Sequence, residues 1–338
     1  MIGDGGAAAP DPKSKQDAPI QLGTSGGWAD DLANGYCCGG TLGGLVEDAN
    51  GQYILSNFHV LAADRTSGGN GDTADLGDAV IQPGLIDVAC NQNNAQVVAT
   101  LDGWGDPLSG ANIDAAIARV AAGMVDSTGA ILGIGTLSSQ TVAASVLQRV
   151  KKMGRTTGLS SSSIDGLNAT ISIQYEDECA GQSRGVATFT GQIVIANKGS
   201  KFLNSGDSGS LMVEDVSVNP RAVGLLYAGS SRSAIANPID DVLSAFGVTM
   251  VGVAGARAAD EAAADDDFVA AANAQTANAK AFEAAPNAIG HAISKNAAGK
   301  TILKVYVEKD AAQARAALPN AAGGFPVVVE EIGRVVAF

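Results

Sequence analysis

The chain has 338 residues, with 21 Lys and Arg against 35 Asp and Glu, and therefore a formal net charge of −14 at pH 7. This acidity argues against nucleic acid or an anionic membrane surface as a partner. No apolar run reaches about 18 residues, so no membrane span is expected. The length suits two or three folding units, and because aromatics are only 4% of the chain, aliphatic residues must fill their cores.

The N-terminal segment, residues 1–20, is rich in Gly, Ala, Pro and Asp and has no basic-then-apolar signal. It is expected to be a disordered leader. The chain has an even set of cysteines, which permits two disulfides in three connectivities: Cys37, Cys38, Cys90 and Cys179. Buried free thiols are the alternative, since the lack of a visible signal peptide favours a reducing cytoplasm. The even count permits secretion, so localisation stays open.

Short apolar segments separated by turn residues follow the leader, and Asn50-Gly51 is a hairpin signal. The spacing predicts an all-β sandwich or a pair of barrels. Strands are expected at 40–46, 53–61, 79–82, 96–101, 115–120, 147–152, 169–175, 186–195, 210–213 and 222–227.

Helical spacing appears only toward the C-terminus. Residues 238–246 predict a helix with one apolar face, and the alanine-rich stretch 256–285 is either a solvated helix or a flexible tether. Pro286 is expected to open a second amphipathic helix through Ile289 and Ile293. Residues 253–298 are thus predicted as a helical linker.

The last segment, residues 299–338, is predicted as a small β-α-β unit with a strand at 301–308, a helix at 310–318 and a strand hairpin from 326 to the end. At about 40 residues the unit is too small to bury a core alone. It is therefore expected to dock on the rest of the chain or on a second copy, which makes a homo-oligomer possible.

The most informative stretch is NSGDSGS at 204–210. Its glycines permit positive φ and close backbone approach, so the backbone amides of Gly206 and Ser208 are candidates for an oxyanion hole. By itself the stretch is also compatible with an ordinary polar turn. Serine becomes a useful nucleophile only beside a base, and the chain has two histidines.

His59 ends an apolar run that is expected to be a strand, whereas His291 is expected at the surface of the C-terminal unit. Asp114 opens a strand of small apolar residues, where a charge is costly unless it is paired. Asp102 is the alternative acid, but its Asp-Gly-Trp-Gly setting indicates a turn. The predicted constellation is His59, Asp114 and Ser208, in that order.

Four motifs in sequence carry a family resemblance: CGGTL at 38–42, LSNFHV at 55–60, IDAAI at 113–117 and GDSGS at 206–210. The chain resembles the trypsin-like, chymotrypsin-fold serine peptidases over roughly residues 20–252, and the order of the triad is typical of that fold. GRTTGL at 154–159 and ANPI at 236–239 resemble a bacterial branch distantly similar to the plant narrow-leaf peptidases.

The resemblance implies a mainly β fold with two antiparallel barrels, at 21–125 and at 126–252 with a closing helix, before the C-terminal α+β unit. It implies a serine endopeptidase that hydrolyses peptide bonds through an acyl-enzyme, with protein or peptide substrates and no metal or cofactor. The alternative is a non-catalytic binding or assembly protein on the same fold.

The resemblance also suggests where the substrate side chain binds. Phe202, six residues before the nucleophile, falls at the pocket floor, and Tyr227, Ala228 and Gly229 fall on the facing wall. None of these is acidic, so cleavage after uncharged, small or apolar residues is expected rather than after Lys or Arg. Alternatively, Phe202 turns into the barrel core.

Overall fold

The computed structural model describes residues 11–66, 68, 69, 71, 74–177, 182–254 and 266–337. In its first third lie the strands β1 (Thr24–Trp28), β2 (Leu32–Ala33), β3 (Tyr36–Cys37), β4 (Gly40–Leu42), β5 (Gly44–Asp48), β6 (Gly51–Ser56), β7 (Ala79–Gln82), β8 (Gln96–Gly105) and β9 (Ala115–Val120), and the short helix α1 (Phe58–Leu61). The middle third contributes β10 (Arg149–Lys152), β11 (Ser160–Asp177), β12 (Gln182–Ala196), β13 (Leu211–Glu214), β14 (Ala222–Gly229), β15 (Ser233–Pro238), the helix α2 (Ile239–Phe246) and β16 (Thr249–Met250).

The first sheet has the strand order β16-β5-β6-β9-β8-β7-β1-β4, with antiparallel neighbours throughout. It curls back on itself, because Gly43 beside β4 donates its N–H to the Leu55 carbonyl in β6. Its strands bury aliphatic side chains such as Leu45, Ile54 and Val98 in one apolar cluster, and consecutive residues of β5 and β6 are buried. The sheet is the first barrel.

The second sheet closes completely. Its strands follow the ring β10-β13-β14-β15-β12-β11, and β11 pairs again with β10, all antiparallel. Ile164, Ile193 and Leu226 fill its interior. The prediction of a mainly β chain with two antiparallel barrels is confirmed. The helix α2 forms where a helix was expected, and its buried residues Ile239 and Val242 pack in the same apolar cluster as the core of the first barrel.

The remaining elements are α3 (Asp266–Glu283), β17 (Ala288–Lys295), β18 (Thr301–Val307), α4 (Ala311–Ala317), β19 (Ala321–Ala322), β20 (Phe325–Glu331) and β21 (Val336–Ala337). Within the stretch expected to be the second helix, Ala288–Lys295 form the strand β17 instead. Ile289 and Ile293 are four residues apart, a spacing that suits one face of a regular strand as well as of a helix. In β17 a register irregularity between Ala288 and Gly290 separates them, and the two side chains pack in different apolar clusters. The exposed edge of β11 decides between strand and helix, because β17 pairs along it.

The C-terminal unit consequently extends the sheet of the second barrel. The hairpin expected after residue 326 is also wrong: β20 runs parallel to β18, and β21 instead lies between β11 and β14. The second histidine, His291, is buried in β17 and not at the surface; its Nδ1 lies 2.8 Å from Gln275 Nε2. Burial lowers its pKa, and the nearby Glu283 opposes that shift.

Two predictions about the N-terminal region also change. Residues 11–20 lie against the first barrel, where Ile20 is fully buried and its N–H donates to the Met124 carbonyl; residues 1–10 lie outside the described range. The strand expected over 53–61 ends at Ser56, and α1 follows, since a continuous apolar run does not distinguish a buried strand from a buried helix. Cys37 and Cys90 form a disulfide, while Cys179 lies outside the described residues.

No helix in the described part of the chain is long and apolar enough to cross a membrane.

Candidate active site

His59 and Asp114 are brought together by the pairing of β6 with β9. Ser56 of β6 faces Ala116 of β9 across this pair. His59 follows Ser56 by three residues and Asp114 precedes Ala116 by two, so both residues lie at the same end of the sheet. His59 Nδ1 lies 2.5 Å from Asp114 Oδ2, and the His59 N–H donates to Asp114 Oδ1 at 3.3 Å. The imidazole is therefore held by its Nδ1 side, with Nε2 directed away from the carboxylate.

Asp114 is fully buried, and its charge is stabilised by further donors. The Tyr175 hydroxyl donates to Asp114 Oδ2 at 2.7 Å, and burial together with the Asp114 charge raises the pKa of Tyr175 well above its ordinary value. The backbone is fixed as well, because Asn57 donates to the Asp114 carbonyl and Asn237 accepts its N–H. The hydrogen bonds thus fix both the carboxylate and its backbone.

The alternative acid, Asp102, does not approach His59. It forms an ion pair of 3.1 Å with Arg119, and both side chains are about one-third or more exposed. Arg119 also lies over the Tyr53 ring, at 4.8 Å from its centroid. Asp102 therefore belongs to a surface cluster of the first barrel.

Ser208 lies on the loop that leads into β13 and is tied to the first barrel by its backbone. Its carbonyl accepts the Thr41 N–H at 2.8 Å, and the Thr41 carbonyl accepts the Ser56 hydroxyl. Gly209 has φ of +87°, and a Cβ there would collide with Thr41 O and Ser56 Oγ, so only glycine fits. This tight approach places the Ser208 loop against the end of β6, three residues before His59.

The Ser208 side chain is 0% exposed and His59 is 2% exposed. In the described part of the chain, the Ser208 hydroxyl donates to the Tyr227 carbonyl at 3.2 Å and not to His59. The side chains of Ser208 and His59, as described, thus lie in the same buried region, but no direct hydrogen bond joins them.

Asp207, immediately before Ser208, is buried and held by an unusually complete set of donors. Its carboxylate accepts the N–H groups of Thr156, Thr157 and Asn204 and the Thr157 hydroxyl, at 2.8–3.0 Å. Lys152 Nζ lies 3.1 Å from Asp207 Oδ1, and both side chains are 0% exposed. This set of contacts fixes the loop conformation at the residue before the nucleophile.

Lys152 reaches Asp207 from β10 and was not anticipated from the sequence. Its ammonium also donates to Thr157 Oγ1 at 2.5 Å and to the Gly158 carbonyl at 3.2 Å. Burial lowers the pKa of Lys152, and the Asp207 carboxylate opposes that shift. The GRTTGL motif thus gains a structural role, because its threonines and Lys152 together enclose Asp207.

The Gly206 and Ser208 amides have no acceptor within the described ranges. Gly206 has φ of +88°, and its carbonyl accepts the Thr41 hydroxyl at 3.0 Å. Buried backbone N–H groups are normally paired, so two unpaired amides on one glycine loop are available to a ligand. Among the residues described, no cluster of His, Cys, Asp and Glu suits a metal ion.

The predicted pocket residues divide into two groups. Tyr227, Ala228 and Gly229 lie on β14 beside Ser208, and all three are buried. Phe202 packs in the core of the second barrel, which was the stated alternative to a position at the pocket floor. A separate cavity of about 130 Å³ adjoins His59 and Tyr175.

Two antiparallel barrels, with His59 and Asp114 on the first and Ser208 on the second, define the architecture. The fold is of the chymotrypsin type. Residues 105–237, fewer than half of the chain, match the family model described as the Nal1 C-terminal domain, in agreement with the resemblance to the plant narrow-leaf peptidases. No curated protein sequence matches the chain significantly.

Several solved bacterial proteases are similar to this chymotrypsin-type chain at low identity. A protein described as a glutamic acid specific serine protease that utilises a novel histidine triad in substrate binding is 19% identical; 68% of this chain and 100% of that chain are covered, with a TM-score of 0.46. Thermobifida fusca protease A is 18% identical, with 69% and 99% covered and a TM-score of 0.44. Cellulomonas bogoriensis chymotrypsin is 19% identical, with 69% and 99% covered and a TM-score of 0.42.

Proposed function

We propose that the chain is a serine endopeptidase in which Ser208 is the nucleophile, His59 the general base and Asp114 the residue that orients His59. The observation that carries the proposal is the buried 2.5 Å contact between His59 Nδ1 and Asp114 Oδ2. A carboxylate there fixes the imidazole tautomer in which the Nε2 lone pair is the group that accepts a proton. Thr41 links the Ser208 loop to the same end of the first barrel.

The chemistry follows from these positions. The Ser208 oxygen adds to the peptide carbonyl carbon while His59 takes the hydroxyl proton, and the resulting oxyanion accepts hydrogen bonds from the Gly206 and Ser208 amides. The C–N bond then breaks as His59 returns the proton to the leaving amine. Water hydrolyses the Ser208 ester by the same steps. Before attack, the Ser208 hydroxyl must leave the Tyr227 carbonyl, which a rotation about χ1 accomplishes.

Substrate choice is proposed to favour uncharged residues before the scissile bond. The residues of β14 beside Ser208 are Tyr227, Ala228 and Gly229, which offer no carboxylate to a Lys or Arg side chain. One similar protease is described as using a histidine triad to bind its substrate, but this chain has only two histidines and one of them is His59. Glutamate recognition by three histidines is therefore ruled out here.

A digest of a peptide library, read by mass spectrometry, tests both parts of the proposal. Ser208→Ala is expected to lower turnover by a factor on the order of 10⁴–10⁶, whereas the control Asp102→Asn is expected to retain it. Turnover that survives in Ser208→Ala contradicts the mechanism. A dominant Lys or Arg signal contradicts only the proposed specificity.

A second candidate function is peptide binding without cleavage, which the complete burial of Ser208 favours. This alternative predicts that the folded wild-type protein binds peptides without cleaving them. It also predicts that Ser208→Ala binds the same peptides with equal affinity.

A further inference from the structure

The short strand β21 lies on the edge of β14 that adjoins Ser208. Ala337 pairs with Ala228 and Val336 with Gly229 in antiparallel register. On its other side, Val336 pairs with Gln174 of β11 in parallel register, and the Gln174 N–H donates to the Val335 carbonyl at 3.0 Å. A segment of the chain's own C-terminal region therefore occupies the gap between two strands of the second barrel.

Two upstream contacts define the direction in which this segment runs. Arg232 donates to the Glu331 carbonyl at 2.8 Å, and the Ser230 hydroxyl donates to the Ile332 carbonyl at 2.6 Å. As the segment advances from residue 331 to residue 337, its partners descend from residue 232 to residue 228. The next residue of β14 is Tyr227, whose carbonyl holds the Ser208 hydroxyl. The segment thus runs toward the nucleophile as an extended peptide.

The segment is buried where it meets the site. Val335 is 2% exposed and Ala337 is fully buried, and both pack in the apolar cluster that contains Tyr175 and Tyr227. Tyr175 also holds Asp114, so the tail strand shares side-chain contacts with residues beside the catalytic pair. Its backbone attachment is small, with two residue pairs to β14 and one to β11.

We propose that residues 335–337, the tail strand, are an intramolecular peptide ligand of the β14 edge, and that this contact keeps the active site closed until the tail strand is displaced. This inference rests on the proposed peptidase function. An incoming substrate competes for the backbone groups of Ala228 and Gly229 that the tail strand now uses. The groove is consequently matched to extended peptides with small aliphatic side chains, such as the Val-Val-Ala sequence that it holds.

The inference predicts that release of the tail strand exposes Ser208. Val336→Asp places a charge on the half-buried central residue of the tail strand, and a chain ending at Ile332 lacks the tail strand entirely. Val328→Asp is the matched control, because Val328 is exposed on β20. The rate of Ser208 labelling by a fluorophosphonate is expected to rise at least about tenfold in the first two variants and to stay unchanged in the control.

A synthetic peptide of residues 331–338 provides a second measurement. It is expected to slow the labelling of the shortened chain, and a scrambled peptide is not. Equal labelling rates in wild type, Val336→Asp and Val328→Asp overturn the inference while leaving the peptidase proposal intact. If the shortened chain does not fold, Val336→Asp decides; unfolding of Val336→Asp also overturns the inference, because a displaceable ligand does not maintain the fold. Absence of Ser208 labelling in every folded variant refutes the peptidase proposal itself.

Discussion

Replacing Lys152 by Met removes the cation that lies against Asp207 while retaining most of the aliphatic volume. Lys152 Nζ contacts Asp207 Oδ1, Thr157 Oγ1 and the Gly158 carbonyl, and the side chain is 0% exposed. The substitution therefore leaves a buried carboxylate without its counterion and the Gly158 carbonyl without this donor. Both effects fall on the loop that carries Ser208.

The magnitude follows from what remains around Asp207. Removing one member of a buried ion pair costs about 3–5 kcal/mol, because the remaining charge stays desolvated. Asp207 keeps three backbone N–H donors and the Thr157 hydroxyl, which offset part of the lost attraction. We expect a loss near the lower end, about 3 kcal/mol of unfolding free energy. Turnover is expected to fall as well, because Asp207 no longer fixes the adjacent Ser208 amide.

Urea denaturation measures the stability change, and Lys151→Met is the control. Lys151 is the neighbouring lysine of β10, is only half-buried and makes one hydrogen bond, to the Val216 carbonyl, so its loss is expected to cost about 1 kcal/mol. The double variant Lys152→Met, Asp207→Asn removes both charges. Its loss of unfolding free energy is expected to be smaller, by about 1–3 kcal/mol, than the sum of the losses in the two single variants. A Lys152→Met protein within 1 kcal/mol of wild type would refute this account of the loop.

Two further predictions concern buried groups near the first barrel. Burial raises the pKa of Asp31 from 3.8 to about 6, so the folded state binds this proton more tightly than the unfolded state does. The contribution of Asp31 to stability, about 3 kcal/mol, is therefore fully present below about pH 4 and is lost as the pH rises through 6. Asp31→Asn should therefore stabilise the protein at pH 7.5 but not at pH 4 in thermal unfolding scans, and equal shifts at both values would contradict this linkage. Tyr175→Phe removes the hydroxyl that donates to Asp114 and should lower kcat about tenfold with KM unchanged, whereas an equal rise in KM would indicate a role in substrate binding.

The sequence predicted the barrels well because strand periodicity and turn residues are local signals. The strands 79–82 and 115–120 have the predicted bounds, and α2 forms where an apolar helical face was recognised. Errors occurred where neighbouring strands decide the outcome. Ile289 and Ile293 suit a helix or a strand equally, and only the free edge of β11 selects the strand.

The same limit applies to the candidate site. His59, Asp114 and Ser208 were recognisable because each lies in a distinctive local motif. Lys152 and Tyr175 carry no such motif, and their roles arise from contacts with Asp207 and Asp114 that are 55 and 61 residues away along the chain. The position of β21 was likewise unpredictable, because the sequence of a two-residue strand, Val336–Ala337, does not specify the sheet edge with which it pairs.

The most direct test of the central claim is the site of covalent labelling by a fluorophosphonate, mapped by mass spectrometry in the full chain and in Val336→Asp. The mechanism predicts a single adduct on Ser208 whose formation is lost, by a factor on the order of 10⁴ or more, when His59 is replaced by Ala. An adduct on another serine, or labelling of Ser208 at an undiminished rate in His59→Ala, would contradict the assignment of Ser208 and His59 as nucleophile and base.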